Sequence, residues 1–293
     1  MDIGERDPVT GQMTTGHEWN GITELYTPIP RVVIFFLVLG TLFSIGYWLL
    51  MPAWPLGTTY TKGLLGLDQK TQVEQQLELA SAERSAWTSK IESMDFAAIL
   101  ADPALMTIVN QAGSTLFKDN CAVCHGTSGT GSQGFPNLTT KSWLWGGDPQ
   151  TIFETVRVGI NSTHPDTRVS QMLSFGRDGV LERAQISDVV SYVQSLGGVA
   201  GEAAADSESV ARGKDVFSAN CVACHGDDGK GKPDVGAPNL TDAWWIYGSD
   251  RQSIFATIFN GHQGHMPHWE DRLSNTDRKL LTLYVLSLSE KKT

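Results

Sequence analysis

One stretch of the chain is apolar without interruption: the twenty residues from Val32 to Met51 carry no charge. A helix needs about 20 apolar residues to cross the hydrocarbon core, so this segment is long enough to span a bilayer. Pro28-Ile29-Pro30-Arg31 and Pro52-Ala53-Trp54-Pro55 bracket it, and Tyr47, Trp48 and Trp54 fall where an interfacial aromatic belt belongs. A buried core helix would be shorter or carry a polar stripe. A signal peptide has a shorter apolar region nearer the start, followed by a small-residue cleavage site. The pattern therefore predicts a retained anchor over 32–52, with a tail at 1–31 before it.

Beyond the anchor the apolar positions become periodic. Val73, Leu77, Ala80, Trp87 and Ile91 recur at helical spacing in an otherwise polar stretch, predicting an amphipathic helix within a linking segment at 53–105. Packing against its own neighbour is the expected use of its apolar face, ahead of binding a partner. Further helices are expected over Arg183–Leu196 and Asp277–Ser289, each closing a stretch of loop and short helix.

The sequence also repeats itself about a hundred residues on. Gly113, Phe117 and Asn120 recur as Gly213, Phe217 and Asn220, and Pro136-Asn137-Leu138 recurs as Pro238-Asn239-Leu240. Ile152-Phe153 matches Ile254-Phe255, Gly159 matches Gly261, and Tyr192-Val193 matches Tyr284-Val285. Two tandem helical domains are expected, at 106–200 and 207–293. The small, polar run from Gly197-Gly198 to Asp206-Ser207 reads as the linker between them.

At 293 residues, 41% hydrophobic and 18% charged, the chain has the composition of folded protein with two or three modules. Its net charge of −10 argues against a nucleic-acid partner, because no basic stripe is available to neutralise phosphates. An acidic surface suits a basic redox partner, although it also simply maintains solubility. Flanking charge does not orient the anchor, since Arg6 and Arg31 before it are matched by Lys62 and Lys70 after it.

All four cysteines lie in two copies of C-x-x-C-H, at Cys121-Ala122-Val123-Cys124-His125 and Cys221-Val222-Ala223-Cys224-His225. Cysteines three apart on a helical turn point the same way, so both thiols reach the vinyl groups of one porphyrin while the next His offers a nitrogen to iron. A zinc site would need four clustered ligands, and a C-x-x-C redox pair needs no His after it. The motif therefore predicts two covalently attached haems c, at Cys121 and Cys124 and at Cys221 and Cys224, with His125 and His225 as axial ligands. Modules with so little apolar volume would use haem as core as well as cofactor. In c-type cytochromes haem is attached outside the bacterial cytoplasmic membrane, so the haem domains are expected in the periplasm and the N-terminus in the cytoplasm.

What fills the opposite face of each iron separates electron transfer from ligand chemistry. Met266, in His265-Met266-Pro267, and Met172, in Gln171-Met172-Leu173-Ser174-Phe175-Gly176, fall in corresponding loops before the last helix of each copy. Thioether sulfur favours ferrous iron and raises its potential. His262, His265 and His268 are rival ligands whose crowding points to solvated loop histidines, and His164 is expected at the surface. With both axial positions filled, the chain is expected to conduct electrons rather than perform chemistry. No catalytic site, copper pair or Gly-rich phosphate cradle stands out.

The run Thr15-Gly16-His17-Glu18-Trp19-Asn20-Gly21-Ile22, with Glu24-Leu25, Pro28-Ile29-Pro30 and Thr61-Lys62-Gly63-Leu64-Leu65-Gly66, resembles the dihaem subunit III of cbb3-type cytochrome c oxidases. The resemblance covers essentially the whole chain. It implies an all-α fold, one transmembrane helix followed by two tandem class I cytochrome c domains. It also implies Met172 and Met266 as axial partners of the two haems, leaving open whether each serves its own copy. By the same resemblance, electrons from a donor cytochrome c would pass through a monohaem subunit to a haem-copper catalytic subunit that reduces oxygen, this chain being non-catalytic. Leu173 and Ser174 depart from the family's Met-Pro-Ala-Phe-Gly, and a missing proline would loosen the loop. Two other classes remain: a membrane-tethered dihaem carrier or dehydrogenase cytochrome subunit, and a haem-based sensor or peroxidase with a displaceable ligand.

Overall fold

The computed structural model describes residues 4–197 and 206–290, which form two compact units, Met1–Glu83 and Arg84–Thr293. The linker expected at 197–206 falls largely outside the described residues.

The first unit begins with an antiparallel hairpin, β1 (Thr14–Trp19) and β2 (Ile22–Leu25), in which Trp19 pairs with Ile22. Asn20 and Gly21 form the two-residue turn with φ of 51° and 86°. Asn-Gly is the pair that such a turn favours, because both residues tolerate the left-handed region. Helix α1 (Arg31–Leu50) follows Pro30 and buries none of its residues, as expected of a segment whose solvent is lipid. Its Thr41 and Ser44 hydroxyls donate to the carbonyls of Leu37 and Gly40, 2.8 Å in each case, so neither is left unpaired. At its end, the amides of Leu64 and Leu65 donate to the carbonyls of Leu49 and Leu50, satisfying terminal acceptors. Gly63 packs against the Leu50 carbonyl, where a Cβ has no room. The Lys62-Gly63-Leu64-Leu65 run is therefore a cap for the membrane helix.

Helix α2 (Gln69–Ser93) has the expected span, but its stripe is buried only at one end. Val73 and Leu77 are 53% and 60% exposed, whereas Ile91 is fully buried and Trp87 packs beside it. Packing against a neighbour thus holds for the last turns and not for the first.

The second unit holds α3 (Phe96–Leu100), α4 (Pro103–Asn120), α5 (Ala122–His125), α6 (Pro149–Val158), α7 (Arg183–Ser195), α8 (Ser207–Asn220), α9 (Val222–His225), α10 (Arg251–Asn260) and α11 (Asn275–Glu290). Asp95, Asp102, Asp148, Asp206 and Asp250 accept hydrogen bonds from backbone amides at the starts of α3, α4, α6, α8 and α10. Glu182 and Gln185 form a capping box at α7.

The closing helix of each sequence repeat packs with the other repeat. Leu105, Val109 and Phe117 of α4 share a core with Ile152 of α6 and with Leu280, Leu281, Leu283, Tyr284 and Val285 of α11. Phe217 of α8 shares the other core with Ile186, Val189, Val190 and Val193 of α7 and with Ile254 and Ile258 of α10. Gly113 lets α4 approach Tyr284, and Gly213 lets α8 approach the Asp188 carbonyl. The stretches 106–200 and 207–293, expected as self-contained domains, thus exchange their closing helices. The first lobe combines α4, α5, α6 and α11, and the second combines α7, α8, α9 and α10. The exchange has a local cause, since α7 pairs with the helix that follows it in sequence.

Candidate functional site

Each C-x-x-C-H motif forms one tight helical turn leaving a long helix. The Cys121 carbonyl accepts from the amides of Cys124 and His125 at 3.2 and 3.0 Å, and the Cys221 carbonyl accepts from Cys224 and His225 at 3.1 and 2.9 Å. Gly126 and Gly226, with φ of 76° and 78°, end the two turns. Two thiols and one imidazole are thereby gathered on a single turn. His125 Nδ1 donates to the Pro136 carbonyl at 3.0 Å, and His225 Nδ1 donates to the Pro238 carbonyl at 3.1 Å. A carbonyl can only accept, so the bond fixes the tautomer and leaves Nε2 as a lone-pair donor for a metal. The Pro-Asn-Leu loops are themselves fastened, Leu138 to the Gly129 carbonyl and Leu240 to that of Gly229, both at 2.7 Å.

Burial lowers the pKa of His125 and His225, opposed by these hydrogen bonds, so both imidazoles are held in the neutral, ligating form. Burial, with the neighbouring cysteine, pushes the Cys121 and Cys221 thiols up to about 11. Both are therefore kept as neutral S–H groups. Paired thiols and an oriented neutral imidazole fit a haem c.

The methionine loops cross between the repeats. Ile160 and Met266 exchange backbone hydrogen bonds of 2.9 Å in both directions, and His262 and Met172 exchange bonds of 3.0 and 2.8 Å. Ile160 and His262 follow the matched glycines Gly159 and Gly261, so the two exchanges are related by a pseudo-twofold. Met172 packs on the second core, which also includes Cys221 and Val222. The Met266 loop sits on the C-terminal end of α6, where the Trp269 amide meets the carbonyls of Val156 and Arg157 at 3.2 Å. That helix contributes Ile152 to the core that includes Cys121 and Ala122. Each methionine loop therefore lies in the lobe of the other repeat's motif.

The absence of proline after Met172 is offset by these bonds. Phe175 donates to the Ile258 carbonyl at 3.1 Å, Gly176 and Arg177 donate to that of Phe259 at 3.2 and 3.0 Å, and the buried Ser174 hydroxyl donates to Asp178. A proline would fix one φ, whereas this loop is fixed by its bonds to His262 and to the last turn of α10.

The rival histidines are engaged elsewhere. His262 stacks on Tyr247 at 3.7 Å and pairs with the Thr257 hydroxyl at 3.1 Å, and His265 Nδ1 donates to the Asn161 carbonyl at 3.0 Å. His268 lies 5.5 Å, ring to ring, from His164. His164 corrects its expected surface position: its side chain is only 8% exposed and its Nε2 lies 2.6 Å from Glu270. The one trace of this in the sequence is the longer loop of the first repeat. Thirteen positions separate Gly159 from Met172, but five separate Gly261 from Met266.

Comparison with known proteins agrees with this architecture. The cytochrome c family model matches residues 110–197, that of the N-terminal domain of cytochrome oxidase-cbb3, FixP, matches 11–58, and that of cytochrome c oxidase, cbb3-type, subunit III, matches 208–285. The chain is 45% identical over 287 residues to the cbb3-type cytochrome c oxidase subunit FixP of Bradyrhizobium sp. (strain ORS 278), covering 98% of both chains. It is 42% identical over 276 residues to subunit CcoP of Cereibacter sphaeroides, covering 94% of both. With subunit CcoP of Azospirillum sp. (strain B510) it shares 40% identity over 291 residues and 97% of each chain.

Proposed function

The chain belongs to the FixP/CcoP family of cbb3-type cytochrome c oxidase subunits, and from that premise we propose that it is the oxidase's membrane-anchored dihaem electron relay, with its axial ligands crossed between repeats. Cytochrome c domains imply covalently bound haem c. In this reading Cys121, Cys124, His125 and Met266 would hold one haem, and Cys221, Cys224, His225 and Met172 would hold the other. Each haem supplies a one-electron couple.

The protein's part is to hold the couple. Pro136 and Pro238 orient the imidazoles, burial keeps those rings neutral, and the cores around Phe117 and Phe217 exclude water. A methionine sulfur together with an imidazole would raise the potential and leave no position free for oxygen chemistry, so the chain is read as non-catalytic. Electrons would enter from a donor cytochrome c and leave through a monohaem subunit to the haem-copper subunit. Residues 32–52 would anchor the chain in the inner membrane, with the tail cytoplasmic and the haem domains periplasmic.

The observation that carries this reading is the paired backbone exchange of Ile160 with Met266 and of His262 with Met172. The patterned hairpin at Thr14–Leu25 favours an oxidase subunit over a free carrier, which has no need of it. Purification in mild detergent tests the assignment. A haem-copper subunit should copurify with two c-type haems per chain by pyridine haemochrome, and deletion should abolish oxygen consumption with reduced cytochrome c. Intact consumption after deletion would overturn it.

A further inference from the structure

The pseudo-twofold breaks where the methionine loops meet α6 and α10. In the second lobe Phe259 packs against Gly176, where a Cβ would run into its ring. The matched positions in the first lobe hold Arg157, two residues before Gly159, and Glu270, four residues after Met266. Arg157 Nη1 donates to Glu270 Oε2 at 3.0 Å. Its other nitrogens donate to Glu154 at 2.9 and 2.8 Å and to Asp166 at 3.0 Å. His164 Nδ1 accepts from the Asp166 amide at 3.0 Å, so Nε2 carries the proton and donates to Glu270 at 2.6 Å. Arg278 of α11, itself buried, places Nη1 3.8 Å from the other Glu270 oxygen. Glu270 is thus held from α6, from α11 and from the loop carrying His164 and Asp166, which the second repeat lacks.

We propose that Glu270 is a positioning residue for Met266: through Arg157 and His164 it seats the methionine loop on α6, so that the first lobe's iron–sulfur bond depends on an ion network and the second lobe's on apolar packing. This rests on the crossed ligation argued above. A carboxylate oxygen that accepts from both Arg157 Nη1 and His164 Nε2 is fixed in direction as well as distance, which the Phe259 ring does not achieve. The two sites, alike in ligands, then differ in what keeps the sulfur in place.

The test uses the full-length chain carrying both haems in detergent, reading the far-red methionine-to-ferric-iron charge-transfer band and the two potentials. Glu270→Gln is expected to remove up to about half of the band and to lower one potential, leaving the other unchanged. Met266→Ala is the control and should remove the same half. If Met266→Ala removes it but Glu270→Gln leaves band and potentials intact, the positioning role is overturned. If Met266→Ala itself leaves the band whole, the ligation reading fails instead. Should the Gln variant not retain both haems, Glu270→Asp decides. It keeps the charge one methylene short, so a partial loss supports the role and an unchanged band counts against it.

Discussion

Gly159 lies against the Met266 carbonyl oxygen so closely that a Cβ has no place between them, and its φ is +70°. Gly261 has the same relation to Met172, with φ +69°. With ψ of −170° and 174° these are conformations open essentially to glycine alone, and an L-residue there costs about 1–3 kcal/mol before any clash is counted. Gly159→Ala is therefore expected to destabilise the first lobe by at least this amount and to displace the Met266 loop. Carbon monoxide binding to the reduced chain checks it: the variant should bind at one haem, and the parent at neither.

Crossed ligation makes a prediction that direct ligation inverts. In a chain retaining only the second haem, with Cys121 and Cys124 replaced by Ala, Met172→Ala should abolish the far-red band and Met266→Ala should leave it. The opposite result would return each methionine to the haem of its own repeat.

Much of this organisation was legible from local signals. The C-x-x-C-H turns, the anchor and the closing helices are set by spacings within a few residues, and they stand where the sequence puts them. Asn20-Gly21 is equally local, but read only as part of a family resemblance it gave no hairpin. The exchange of closing helices was hidden for a physical reason. Tyr192 and Tyr284 occupy matched positions, so Gly113 and Phe117 would fit either, and a duplicated sequence carries the same pattern whether partners are its own or exchanged. Phe117 in fact meets Tyr284 at 5.6 Å and Phe217 meets Tyr192 at 5.2 Å. His164 was misplaced because its burial depends on Glu270, a partner far away in sequence.

Lys279 of α11 donates to three carbonyls at the end of α2, those of Ile91, Glu92 and Met94, at 3.0, 2.8 and 2.8 Å. One ammonium group thus satisfies terminal acceptors that the helix cannot. Lys279→Met keeps the stem but removes every donor, and it should destabilise this junction by about 1–3 kcal/mol. Hydrogen exchange at residues 88–96 should accelerate while exchange in α8 stays unchanged.

The seam between α7 and α8 should be the acid-sensitive one. Arg212 holds Asp188 in a fork, Nε to Oδ2 at 2.8 Å and Nη2 to Oδ1 at 3.0 Å, while Leu280 and Ala112 take the matched positions between α11 and α4. The hydrogen bonds from Arg212 lower the Asp188 pKa, outweighing burial, which raises it. A carboxyl group with a depressed folded pKa contributes stability above its unfolded value, near 3.9, and loses it as pH falls through the folded value. Asp188→Asn should therefore lower the denaturant midpoint of the second lobe at pH 7, and the gap from the parent should shrink steadily below about pH 4. Leu280 has no charge to lose, so a probe in α4 should report no such pH-dependent gap. A gap that stayed constant from pH 7 to pH 3 would mean that Asp188 contributes through shape rather than charge.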